Sequence, residues 1–169
     1  ELRVLAHLSQ DSTMIEILKN KKSDIHSETA SRIFDVPIDD VTSDMRRKAK
    51  EVNFGLIYGM EAFGLSKSLD IEQKEASQLI ESYFSQFPEI KGFLDNIVLK
   101  ASKDTFTETL IGRKRYIREL NSSNFQVKAA GKRIAMNAPI QGTAADIMKI
   151  AMIKVMQKIK ELDQTELLL

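Results

Sequence analysis

Apolar residues return at three- and four-residue spacing through most of this chain, and no other feature constrains its fold as strongly. That rhythm collects them on one face of an α-helix, whereas a strand would scatter them over both faces. It predicts helices over residues 1–8, 12–19, 25–34 behind an Asp24 cap, 44–58 behind Thr42 or Ser43, 72–86 and 89–103. The third must stop before Val36-Pro37, because proline disfavours helical geometry in the residue preceding it, and Gly59 offers the fourth a C-terminal stop. Residues 105–110 alternate Phe106, Glu108 and Leu110 with threonines, the period of a strand, and Gly112 can turn the chain so that 115–117 return as its hairpin partner. A helix follows over 125–137, Pro139 bends or restarts it, and 140–162 continue. The fold class is mainly α, with one small β-hairpin making it α+β overall.

Several chemistries are excluded by composition. With no cysteine and two histidines, His7 and His26, the chain has no disulfide framework, no thiolate zinc site, no cysteine nucleophile and no site built on several imidazoles. A formal net charge of +1 does not by itself point to nucleic acid, so such a partner has to be read from local clusters. No apolar run approaches the roughly 20 residues that span a bilayer, and the chain is expected to be soluble and cytoplasmic, with no membrane partner. Glu1 runs straight into a periodic apolar pattern, and the last residues, Leu167, Leu168 and Leu169, read as the start of a buried strand. Both ends are therefore expected to be cuts within a longer protein.

Chemistry concentrates between Met45 and Gly59. At about 100° per residue, Met45, Ala49, Val52 and Leu56 share one helix face, and Arg46, Lys50, Asn53, Phe54 and Ile57 share another. Arg46 and Lys50 stand one turn apart, so their heads can reach neighbouring phosphates of one polyphosphate while Phe54 meets a base or sugar. The same pattern also reads as a solvated basic face with Phe54 in an adjoining core. Further on, Arg133, Asn137 and Gln141 recur every four residues as a polar stripe. Such side chains can donate to the minor-groove acceptors common to all base pairs, or simply form an exposed helix face. Arg113-Lys114-Arg115 beside Tyr116 fits duplex-backbone contact or a solvated turn. Lys19 to Lys22 reads as a basic loop.

Arg46, Lys50, Phe54, Tyr58 and Gly59 stand at the spacing of the mobile fingers helix of family A DNA polymerases, the bacterial DNA polymerase I class, and the stretch closely resembles it. Glu1 to His7 resembles the end of that family's first carboxylate motif, and Arg133 to Asp146 its palm helix. Asp24-Ile25-His26 and Thr109 to Tyr116 agree as well, so the resemblance covers essentially the whole chain.

The resemblance implies fingers helices over residues 24–103, a palm segment over 1–23, and a hairpin with palm helix over 104–169. It implies that Arg46 and Lys50 bind the triphosphate of an incoming deoxynucleotide and assist catalysis, Lys50 as proton donor to departing pyrophosphate. Prepositioned cations stabilise charge that spreads over phosphoryl oxygens in the transition state. His26 would hydrogen-bond a phosphate oxygen, although its place in a first helical turn also suits a structural role. Phe54 would pack on sugar and base and disfavour dideoxynucleotides, Tyr58 would hold the template-base position until the helix closes, and Glu1 would be the steric gate against a ribose 2′-hydroxyl. Tyr58, Arg113, Arg133, Asn137 and Gln141 would face primer–template DNA. His7 is left without a role.

Two Mg²⁺ ions would be held by aspartates outside this chain, and neither Glu1 nor Asp146 replaces them, so the chain alone is expected not to catalyse. The parent is expected to be a monomer engaged in replication or repair near the nucleoid, and exposed apolar ends would favour self-association of the piece. A non-catalytic nucleic-acid-binding relative, or a helical adaptor whose motifs serve packing, are the rival readings.

Overall fold

Side-chain caps open three of the helices in the computed structural model, which describes residues 1–159. Asp11 accepts from Met14 N at 2.8 Å, Asp24 from Ser27 N at 2.9 Å and Thr42 from Met45 N at 3.2 Å. Each satisfies an amide that the first turn of a helix leaves unpaired. These caps open α2 (Ser12–Lys19), α3 (Ile25–Phe34) and α4 (Ser43–Ile57), with α1 (Leu2–Ser9) preceding them. Pro88 at the first position of α7 (Pro88–Asp104) separates it from α6 (Gln73–Gln86), since a proline N–H is not needed there.

Four differences from the expected elements have physical causes. A helix not anticipated, α5 (Ala62–Leu69), carries Gly64, Ser66 and Ser68, residues of modest helix propensity; Leu65 and Leu69 are buried, and packing against α6 sustains it. The first strand is shorter than the alternation suggested, and its partner begins one residue earlier than expected. Strands β1 (Phe106–Glu108) and β2 (Lys114–Tyr116) pair antiparallel with Thr107 opposite Arg115, and the chain turns through Gly112 at φ +81°. Leu110 leaves the ladder because its N–H donates to Thr143 Oγ1 at 3.0 Å. Finally, Pro139, expected to bend or restart the last helix, does not restart it: α8 runs unbroken from Phe125 to Ile159. Pro139 and Ile140 are both buried, so packing offsets the backbone hydrogen bond that proline cannot make. Residues 160–162 of the expected helix and Leu167 to Leu169 lie outside the described residues.

One main core joins α1 through α7 and reaches Ile140 of α8, thus drawing on both sides of residue 24. Tyr83 and Phe87 lie at its centre, fully buried, with ring centroids 4.8 Å apart. Ala101, Ile117, Leu120 and Ala135 form a smaller cluster that seats the hairpin between α7 and α8. Beyond Asp146, α8 exposes Ile147, Met148, Ile150, Ile153, Val155 and Met156. Among the described residues no helix is long and apolar enough to cross a membrane.

Phe87 closes the α6–α7 corner, its buried ring against that of Tyr83 and its backbone N–H donating to the Tyr83 carbonyl at 3.0 Å. Phe87→Ala is expected to lower unfolding free energy by about 3–5 kcal/mol, the cost of emptying a closed aromatic site, measured as a shifted urea midpoint at unchanged slope.

Candidate functional site

Helix α4 seals one face against the core and leaves the other open. Ala49, Val52, Leu56 and Ile57 are buried, and Met45 is partly so. Asn53 and Ile57, expected on the cationic face, are buried instead, because packing against both α3 and α6 widens the sealed face beyond a single stripe.

The cations of the 46–50 run have separate fates. Arg47 pairs with Asp44 at 2.7 Å within the helix, and Lys48, 19 % exposed, reaches Glu75 on α6 at 3.3 Å. Arg46 makes a two-pronged bond to Asp24, Nε to Oδ2 at 2.8 Å and Nη2 to Oδ1 at 3.2 Å. Lys50 has no carboxylate partner among the described residues and is exposed. The sequence offers four similar cations, and tertiary pairing leaves Lys50 uncommitted with Arg46 poised beside it.

Asp24 thereby works twice, capping α3 and aiming Arg46. Partial burial pushes its carboxyl upward, but the bonds from Arg46 and Ser27 prevail and hold it at about 2, below its ordinary 3.8. His26, half-buried in the same first turn, is held below its ordinary value of 6.5, first by burial and then by the charges of Arg46 and Lys50, with Asp24 opposing. Its ring lies 5.7 Å from that of Phe54, and Phe54 stacks on Tyr58 at 6.5 Å. His26, Phe54 and Tyr58 thus form an aromatic row alongside the two cations.

Tyr58 links this row to the first residue and to α8. Its hydroxyl donates to Glu1 Oε2 at 2.6 Å and lies within reach of the Gln141 side chain. The bond to Glu1 raises the phenol above its usual range, reinforced by burial and by the Glu1 charge, and so keeps it a donor. Gly59 follows at φ +67°, and a Cβ there would lie 2.9 Å from Arg133 Cγ, so only glycine allows α4 to end this close to α8. Arg133 and Gln141 are exposed, whereas Asn137 is half-buried with its Oδ1 unpaired among the described residues. Tertiary structure brings Glu1, Tyr58, Arg133 and Gln141 together around the end of α4.

Arg113 sits elsewhere. Its guanidinium donates to Asp146 Oδ1 at 2.9 Å and to the Gly142 carbonyl at 3.1 Å, clasping the hairpin to α8. Among the described residues no group of three or more His, Cys, Asp or Glu could hold a metal ion, and Glu1 and Asp146 are engaged by Tyr58 and Arg113. The residues present do not fit a magnesium site. Sequence reading also missed Asp24 as the anchor of Arg46 and Asn53 as a buried partner of His26; the Asp24 cap signal was visible, its second role was not.

Residues 1–169 match the family described as DNA polymerase family A. Similar proteins include DNA polymerase I of Caldicellulosiruptor bescii, 52 % identical over 161 residues, which cover 95 % of this chain and 19 % of that protein. DNA polymerase I of Mycobacterium tuberculosis is 48 % identical over 161 residues, 95 % of this chain and 18 % of that protein. The solved POL domain of Pol1 from M. smegmatis, in complex with DNA primer-template and dNTP, is similar with a TM-score of 0.89 and 49 % identity, covering 95 % of this chain and 28 % of that one. The chain thus spans under a fifth of the length of these full-length relatives.

Asp24→Asn retains a capping side chain and removes the charge paired with Arg46. Because the Asp24 carboxyl is depressed to about 2, its stabilisation is present above about pH 4 and is lost as pH falls towards 2. At neutral pH the variant is expected to be less stable by under about 1 kcal/mol, as both partners are half-exposed and screened, with the gap closing in acid. Urea unfolding of the two proteins from pH 7 to pH 2 reads it.

Proposed function

The chain belongs to DNA polymerase family A, and from that premise we propose that it supplies the nucleotide-binding helix and primer–template-facing surface of a template-directed DNA polymerase. The observation that carries this reading is the row formed by Arg46, Lys50, Phe54 and Tyr58 along the open side of α4, two cations followed by two rings, with His26 of α3 beside Phe54. The expected fingers segment, 24–103, is the unit that presents it.

In the reaction the primer 3′-hydroxyl attacks the α-phosphate of a deoxynucleoside triphosphate, and pyrophosphate leaves. Divalent metal held by other residues of the parent supplies charge neutralisation, and the residues here supply binding and orientation. Lys50 offers an uncommitted ammonium to the phosphates and a proton to the leaving pyrophosphate. Arg46 is held one turn away by Asp24 and can share its fork with phosphate oxygens. Phe54 meets sugar and base. Tyr58, bonded to Glu1, occupies the place that the templating base takes when the α4 helix closes, and Glu1 crowds a ribose 2′-hydroxyl. Arg133, Asn137 and Gln141 donate to minor-groove acceptors of the nascent pair, while Arg113 contacts the duplex through the hairpin it fastens.

In the full-length polymerase carrying this sequence, Arg46→Ala is expected to raise KM for deoxynucleotide by about tenfold or more, the loss of a bond to a charged group. Lys50→Ala is expected to slow single-turnover incorporation by about 10²–10⁴-fold, the scale of general acid catalysis. Both parameters within twofold of wild type would return the run to a solvated basic face.

A further inference from the structure

Asn53 is fully buried against α3, immediately before the Phe54 ring of the open face. The two N–H groups of a buried amide each need an acceptor, and the neighbouring groups determine which atom is the nitrogen. The Thr29 hydroxyl has one hydrogen, and Ile25 O takes it at 2.7 Å, closer than Asn53 Oδ1 at 3.4 Å. Thr29 Oγ1 therefore accepts, and the Asn53 atom 3.1 Å from it is the donor Nδ2. That same Nδ2 lies 3.3 Å from His26 Nδ1. One amide hydrogen serves Thr29 and the other serves His26, whose Nδ1 must present a lone pair. A neutral imidazole so held carries its proton on Nε2.

We propose that Asn53 is a positioning residue for His26, its Thr29-anchored amide holding the imidazole in the Nε2–H tautomer so that a donor, not a lone pair, is left for a phosphate oxygen of the incoming nucleotide. The proposal rests on the nucleotide reading above. Burial and the neighbouring Arg46 and Lys50 charges favour the neutral ring, and protonating Nδ1 would set it against the amide N–H, donor facing donor. The neutral ring thus gains one orientation of its proton from a residue that is itself hidden from any ligand.

Two measurements test this, the first without nucleotide or variant. Long-range ¹H–¹⁵N NMR of the chain near neutral pH resolves the tautomers of its two histidines; Nε2–H is expected for His26, and Nδ1–H overturns the proposal. The second uses Asn53→Asp, nearly identical in shape but an acceptor where the amide donated. Its carboxylate should draw the imidazole proton to Nδ1 and leave Nε2 a lone pair while the ring is neutral, yet an imidazolium at lower pH carries hydrogens on both nitrogens. The charged groups bearing on the ring are Asp24 from the cap of α3 and Arg46 and Lys50 from α4, so each rate is normalised to wild type at the same pH. In the full-length polymerase, Asn53→Asp should raise KM for deoxynucleotide about tenfold at about pH 9, with kcat little changed, and recover to within about twofold at about pH 6. A defect equal at both pH values, or none at either, overturns the positioning role in favour of simple packing. If His26→Ala leaves KM unchanged while the wild-type tautomer is Nε2–H, the phosphate reading fails and the proposal's functional half falls with it, although the tautomer lock stands.

Discussion

Helix α4 must be buried along one side and bare along the other, and the rest of the molecule is arranged around that requirement. Its sealed side, from Ala49 to Ile57, joins a core that α3, α5 and α6 complete. Dispersion and apolar burial there are non-directional and would tolerate small rotations of the helix. Directional contacts remove that freedom: the Arg46–Asp24 fork, the Lys48–Glu75 contact and the Asn53–Thr29 bond fix the rotation of α4 against α3 and α6. Rotating the helix by one residue would bury Arg46 or Lys50 and expose Val52.

The ion pairs matter more for direction than for stability. Pairs between exposed side chains contribute little net free energy, since each charge exchanges good hydration for a screened attraction. The Arg46–Asp24 pair, with side chains 48 % and 42 % exposed, belongs to that class. A weak pair suits a residue that must turn to a ligand: the guanidinium is already extended and oriented, and a more highly charged phosphate can compete with one carboxylate. Lys48, far less exposed and shared between Glu75 and Asp44, serves to tie α4 to α6.

The hairpin follows a different logic. Gly142 brings α8 so near the turn that a Cβ would lie 2.6 Å from Thr109 Cγ2, and the Thr143 hydroxyl and Asp146 carboxylate take up the Leu110 amide and the Arg113 guanidinium. The basic triplet is thereby divided. Arg113 holds the clasp, Lys114 sits over the Phe106 ring at 4.3 Å, and Arg115 is exposed opposite Thr107. One cluster in the sequence becomes three separate chemistries once the turn is closed.

Element type was legible because helix caps and apolar periodicity act locally: Asp24 before 25–34 and Thr42 before 43–57 need only their own turns to work. The candidate site was legible as a pattern, since Arg46, Lys50, Phe54 and Tyr58 recur at the helical repeat. Helix α5 was not, because its residues are helical through contact with α6 rather than by propensity, and the pattern left open whether Pro139 bends or restarts its helix because burial there offsets a missing N–H. The sequence by itself determined which residues share α4 and that the chain carries cations and rings at one repeat. Tertiary structure alone decided that Arg46 is held, Lys50 is free of a carboxylate among the described residues, Asn53 turns inward to His26, and Tyr58 meets Glu1. Periodicity is a property of one helix, whereas hydrogen-bond partners 22 to 57 residues away exist only after helices have packed.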